Sequence, residues 1–288
     1  MTQAGEKAKH VCIWLFLALS AQLAVWPSFS DALANIRQTF ELSGYAASCA
    51  DMEPEARRRC FLRADAYNAG IAEEQKTESF SYRGEEATDS LYESLPGTEE
   101  GGVMAYLSVP RLGIDLPVVH GTRAEDLEYR CGHMYGTSLP TGGRNTHAVL
   151  AAHTGLPSAE LFSRLTELKE GDRFEVKVLG ETHLYEVICI RVVWPEEESA
   201  YLGVEQGKDL ITLYTCTPYG INDHRLLVRG ERRLPDPVRL AKGEELSISG
   251  KSREAAVRAA VLGSAGSDVL LIGVLCGRRK KRKERQRR

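Results

Sequence analysis

Apolar positions change their spacing along this chain, and each change marks a boundary. Val11 to Trp26 reads VCIWLFLALSAQLAVW, without a charge. Counted to Phe29 the run is 19 residues, close to the roughly 20 that a bilayer requires. Lys7 and Lys9 precede it, and Ala32-Leu33-Ala34 beyond it matches a cleavage site. Residues 1–30 therefore fit either a signal peptide or a membrane helix. A second apolar run, Ala259 to Gly277, is also 19 residues long and is interrupted only by Asp268. A strongly basic tail, 278–288, follows directly. An apolar run closed by Lys and Arg predicts a transmembrane helix with its tail in the cytoplasm. Both basic flanks point the same way, and residues 31–258 are expected outside the membrane.

Between these segments the period shifts twice. Residues 31–80 predict helices. Asp31 suits a cap, Leu33, Ile36 and Phe40 recur at helical spacing, and a second helix is expected from Pro54 to Gln75. Residues 81–102 are rich in Gly, Ser and Glu and read as a linker or loop. From Val103 the alternation is that of strands: VMAYLSV, DLPVVH, THAVLAAH, DRFEVKVL, HLYEVICIRVV, DLITLYTC and RLLVRG, parted by Gly, Pro or charged turns. Short helices are expected at Arg123–Glu128 and Ser158–Leu165. So many short strands in residues 103–240 predict a mainly β domain, a closed or nearly closed barrel, with 241–258 as a linker to the second apolar run.

Composition and charge narrow the classes. Hydrophobic residues make up 43% of 288, enough for a core. The net charge of −3 conceals +8 in the tail and −11 in the rest. An acidic body does not suit nucleic acid, which needs a positive face. Seven cysteines include no CxxC pair, so neither a zinc ribbon nor a thioredoxin-type centre is indicated. Cys12 and Cys276 lie in the apolar runs. Cys49 and Cys60 fit either a disulfide or two separate thiols.

Candidate chemistry sits at strand margins. His153 follows the strand that begins at Thr146, Cys216 ends the run from Leu210, and Arg225 opens the next one. Strand ends can converge on one rim of a barrel. There a thiolate could attack a carbonyl, an imidazole move the proton and a guanidinium hold the developing oxyanion. Taken singly, each residue also has an ordinary reading: a buried small thiol, a packing histidine, a surface ion pair. Their fuller context is Thr212-Leu213-Tyr214-Thr215-Cys216, continuing Thr217-Pro218-Tyr219-Gly220-Ile221-Asn222 and then His224-Arg225. This run resembles the active-site signature of the class C, pilus-assembling sortases. Leu116–Thr122, Gly136–Pro140, Gly155–Phe162 and Ala66-Tyr67-Asn68 resemble further family segments in the expected order. The likeness covers roughly residues 31–235.

The resemblance implies a sortase-type β-barrel flanked by membrane helices, and a cysteine transpeptidase that needs no cofactor or metal. By it, Cys216 is the nucleophile, His153 the acid toward the leaving amine, and Arg225 the support of substrate and tetrahedral intermediate. Thr215 would help shape the oxyanion pocket. The substrates implied are pilin or surface proteins with a C-terminal LPXTG-like signal, cut between Thr and Gly and passed to an amine, most often a pilin lysine. A cell-wall anchoring sortase shares this chemistry, and a non-catalytic surface binding domain is the reading of another class. Two departures stand out. Ala152-His153-Thr154-Gly155 replaces the frequent Gly-His-Arg-Gly. Asp89-Ser90-Leu91-Tyr92 occupies the place of an Asp-Pro-aromatic lid, so Asp89 is a candidate lid residue or a solvated linker aspartate. His120 is expected to support a turn, His133, His147 and His183 to be packing or surface residues, and His224 to be exposed or to orient Arg225. Glu196–Glu198 reads as a solvated acidic turn.

Overall fold

The structure, a computed structural model, describes residues 3–77, 80, 90–96 and 102–233. Asp89, the linker 241–258, the second apolar run 259–277 and the basic tail 278–288 lie outside the described residues.

The first helix, α1, runs unbroken over Gln3–Asp51, so Asp31 lies inside it and not at a helix start. Among the described residues it is the helix long and apolar enough to cross a membrane. The compact body of the molecule begins at Leu33. There the helical spacing of Leu33, Ile36 and Phe40 is real, but these residues are exposed. The face buried instead carries Ala34, Gln38, Tyr45 and Cys49. Polar contacts decide this orientation. Tyr45 donates to Met104 O at 3.1 Å and accepts from Leu179 N at 2.8 Å. Gln38 donates to Tyr129 O at 2.8 Å. Helix α2, Pro54–Thr77, is fixed through Asn68. Its amide accepts from Leu139 N at 2.7 Å and donates to Leu139 O and Thr141 Oγ1, both at 3.2 Å. Cys49 and Cys60 are free thiols. A single turn, α3, spans Ser90–Glu93.

Eight strands close a barrel: β1 Val103–Val109, β2 Ile114–His120, β3 Cys131–His133, β4 Thr146–Ala151, β5 Arg173–Val178, β6 Glu181–Val193, β7 Asp209–Thr217 and β8 His224–Arg233. Around the barrel their order is β1-β2-β3-β4-β7-β8-β6-β5. Seven follow the alternation read from sequence. The eighth, β3, is too short to show a period. It pairs parallel to β2 and antiparallel to β4. Of the two expected short helices, the first shrinks to a 3-10 turn at Asp126–Glu128, and the second gives way to turns with a 3-10 turn at Leu165–Glu167.

The interior holds Leu107, Leu150, Phe174, Tyr185, Leu213 and Val228 among others. Phe174 and Tyr185 stack with centroids 5.5 Å apart. A smaller cluster, Phe80, Met134, Val149, Val193, Leu202 and Leu227, lies on the other face of β4, β7 and β8. Period-2 alternation separates the two sets, because Val149 and Leu227 point opposite to Leu150 and Val228.

Candidate active site

Strands β4 and β7 run parallel, and β8 returns antiparallel to β7. The C-terminal ends of β4 and β7 and the start of β8 therefore lie at the same end of the barrel. Ala151 pairs with Tyr214, and Cys216 pairs with Arg225. The pairing continues one step past β4: Ala152 N donates to Tyr214 O at 3.2 Å, and Thr215 Oγ1 donates to Ala152 O at 2.7 Å. His153 is the next residue, and this register sets it beside Cys216. Cys216 and Arg225 are thus paired across β7 and β8, and His153, two residues past β4, continues the row by register, with neighbouring strands about 4.8 Å apart.

Alternation also fixes the face. Ile211 and Leu213 belong to the interior, so Thr212, Tyr214 and Cys216 face outward. Arg225 lies opposite Cys216 and two residues from outward-facing Leu227. By this alternation the three positions lie at the end of the barrel and open onto its outer surface, not into its mouth. All three side chains are half-buried.

Arg225 is held by several groups. Its Nε donates to Tyr214 Oη at 2.8 Å, and its Nη1 donates to Asn222 O and His224 O, both at 3.2 Å. Tyr214 Oη in turn donates to Glu198 Oε2 at 2.7 Å. Burial opposes the guanidinium charge, but Tyr214, Cys216 and Glu198 outweigh it, and the arginine pKa is raised. Burial, followed by Glu198, pushes the Tyr214 hydroxyl above its ordinary range. Beside the row, the rings of Trp194 and His224 are 3.9 Å apart. Tyr219, on the β7–β8 turn, lies across Gly155 in the segment after His153. Gly155 has φ +76°, and a Cβ there would meet the Tyr219 ring at 3.2 Å.

Other expectations are sorted by these contacts. Thr215 is only 2% exposed, and its hydroxyl is on the face away from Cys216. Its side chain ties β7 to the end of β4 through the bond to Ala152 O. Glu198 is not a solvated turn residue: it lies on the 3-10 segment Pro195–Tyr201 with its side chain 16% exposed. Tyr214 and Glu198 were both missed. Period 2 puts Tyr214 on the Cys216 face, but only the fold brings Glu198 there. His120 supports a turn by a 2.8 Å bond to Leu95 O. His133, His147 and His183 are buried, and His224 is half-buried against Asp223. Among the described residues no group of His, Cys, Asp and Glu is arranged for a metal.

Thiol, imidazole and guanidinium in one outward row are equipped for acyl transfer through a thioester. The comparisons agree with that chemistry. Residues 107–233 match the Sortase domain family. Sortase C1 of GBS Pilus Island 1 is 35% identical, with a TM-score of 0.63 over 69% of this chain and 94% of that one. Sortase C-1 from Actinomyces oris is 42% identical, with a TM-score of 0.56 over 62% and 99%. A curated relative, sortase D of Bacillus subtilis, is 28% identical over 137 residues, 46% of this chain and 66% of its own length. The chain thus spans just under two thirds of that curated relative. Similarity to solved sortases runs across nearly their whole length and includes the strands that carry the row, so this chain belongs to the sortase family of cysteine transpeptidases and, within it, to the class C sortases.

Proposed function

We propose that the protein is a membrane-anchored transpeptidase that links pilin subunits through an LPXTG-like sorting signal. The observation behind this reading is the row His153–Cys216–Arg225 at the shared end of β4, β7 and β8. The likeness to a sortase of a pilus island supports the acceptor assignment.

The Cys216 sulfur attacks the carbonyl carbon of the signal's Thr, and the carbonyl oxygen gains the negative charge. Arg225 faces that oxygen with fixed positive charge. His153 gives its proton to the departing Gly amine, which leaves a thioester on Cys216. A pilin lysine, deprotonated by His153, then attacks the thioester, and the thiolate is released. The apolar stretch of α1 serves as the anchor, with residues 259–277 as a second anchor and 278–288 in the cytoplasm. Asp89 is left as a candidate lid residue on the connection before β1.

The test uses the full chain in detergent, a quenched LPXTG peptide and a pilin bearing the same signal. Cys216→Ala must abolish cleavage, and wild type must give a ladder of covalent pilin multimers. Retained cleavage in Cys216→Ala would overturn the chemistry. Single subunits joined only to a peptidoglycan-type amine would overturn the pilin acceptor and favour cell-wall anchoring.

A further inference from the structure

We propose that Glu198 and Tyr214 are positioning residues that orient the Arg225 guanidinium for the acyl-transfer steps. This rests on the reading of Cys216, His153 and Arg225 as the reacting set, and it adds two residues that act through Arg225.

The argument begins with how the guanidinium spends its donors. Nε is bound by the Tyr214 hydroxyl, and Nη1 by the carbonyl oxygens of Asn222 and His224. Among the described residues no hydrogen bond uses Nη2. A guanidinium is planar, so contacts at Nε and Nη1 fix the plane in which Nη2 lies. Nη2 is then the donor left for a substrate oxygen.

The carboxylate makes its contribution at a distance. Glu198 Oε2 is 3.6 Å from Arg225 Nε, too long for a hydrogen bond, while Tyr214 Oη lies within bonding distance of both. A direct carboxylate–arginine fork would occupy two guanidinium donors and neutralise the charge in place. With a hydroxyl between them, Glu198 balances the charge but takes none of the N–H groups. Tyr214 can act this way because a phenol donates to one neighbour and accepts from another at once. Phenylalanine would fill the same space and break the relay. Glu198 also belongs to the 3-10 segment between β6 and β7, so movement of that segment would be felt at Arg225.

Tyr214→Phe, Glu198→Ala, Arg225→Lys and the corresponding double variants are assayed in the full chain with the quenched LPXTG peptide and a lysine acceptor. Lysine keeps the charge but has no Nε–H to meet Tyr214. Loss of a hydrogen bond to a charged group predicts a fall in kcat of roughly tenfold or more for Tyr214→Phe, with KM nearly unchanged. In the Arg225→Lys background the same substitution should add less than about twofold, because interacting positions are not additive. Alkylation of Cys216 by iodoacetamide should proceed at the wild-type rate in Tyr214→Phe. An equal fall in both backgrounds would mean a merely structural part and overturn the proposal. So would unchanged kcat in both Tyr214→Phe and Glu198→Ala while Cys216→Ala is inactive. If Glu198→Ala does not fold, Glu198→Gln carries the same test. Activity surviving in Cys216→Ala would instead overturn the underlying reading of the reacting set.

Discussion

Thr215 shows how one buried hydroxyl can hold two strand ends together. Its donor goes to Ala152 O at 2.7 Å, and His153 is the following residue. Thr215→Val keeps the volume but leaves that carbonyl without this donor in a buried place. A loss of about 1–3 kcal/mol is expected, measured by urea unfolding, while Thr215→Ser should recover most of it. The valine variant should also slow peptide cleavage, because the end of β4 that presents His153 is no longer tied to β7. Chain-local patterning could give Thr215 a place next to the nucleophile but not its face. The face follows from counting outward from Leu213, which needs the barrel interior to be known. Glu198 was less legible still. It is separated from Tyr214 by 15 residues of turn and strand, and its sequence neighbours Glu196 and Glu197 suggest only solvent.

At the scale of elements, strands were legible wherever length allowed a period to appear. β1 runs Val103–Val109, as its short apolar, β-branched run predicts, and β7 carries the signature cysteine one residue before its end. β3 escaped because three residues carry no period, and its existence depends on neighbours from distant sequence. The exposed stripe on α1 failed differently: periodicity identified a helix, but buried hydrogen bonds from Gln38 and Tyr45 chose the side. Gly230 in β8 illustrates a constraint visible only in three dimensions. It pairs with Val187 and Ile211, and a Cβ there would stand 2.5 Å from Phe174 and 3.1 Å from Tyr185 Cβ. The stacked ring pair therefore fills the space that a side chain would take. Gly230→Ala should overpack the barrel and cost about 1–3 kcal/mol. A lowered unfolding midpoint at unchanged denaturant slope would show this, and relief by Phe174→Leu in the same chain would identify the ring as the obstacle.

Across the whole molecule, three buried histidines couple stability to pH. Burial lowers the pKa of His133, His147 and His183 to about 4 each. His133 and His147 are nonetheless hydrogen-bonded, through Tyr92 and Ser138 O and through Gly203 O and Thr212. Among the described residues neither ring nitrogen of His183 has a hydrogen-bond partner; Glu181 Oε2 is 3.6 Å from Nε2, and Arg232 adds to the depression. In the unfolded chain all three should titrate near the ordinary value of about 6.5. Above that value the rings are neutral in both states, and the folded form keeps its full stability. As pH falls from about 6.5 toward 4, the unfolded chain binds protons that the folded chain refuses, so stability must decline. The thermal midpoint should therefore fall between pH 7 and pH 5. His183→Leu removes one of these rings, and it should make that decline shallower. A midpoint independent of pH over this window, or a His183→Leu profile with the wild-type slope, would show that these histidines do not govern the acid response.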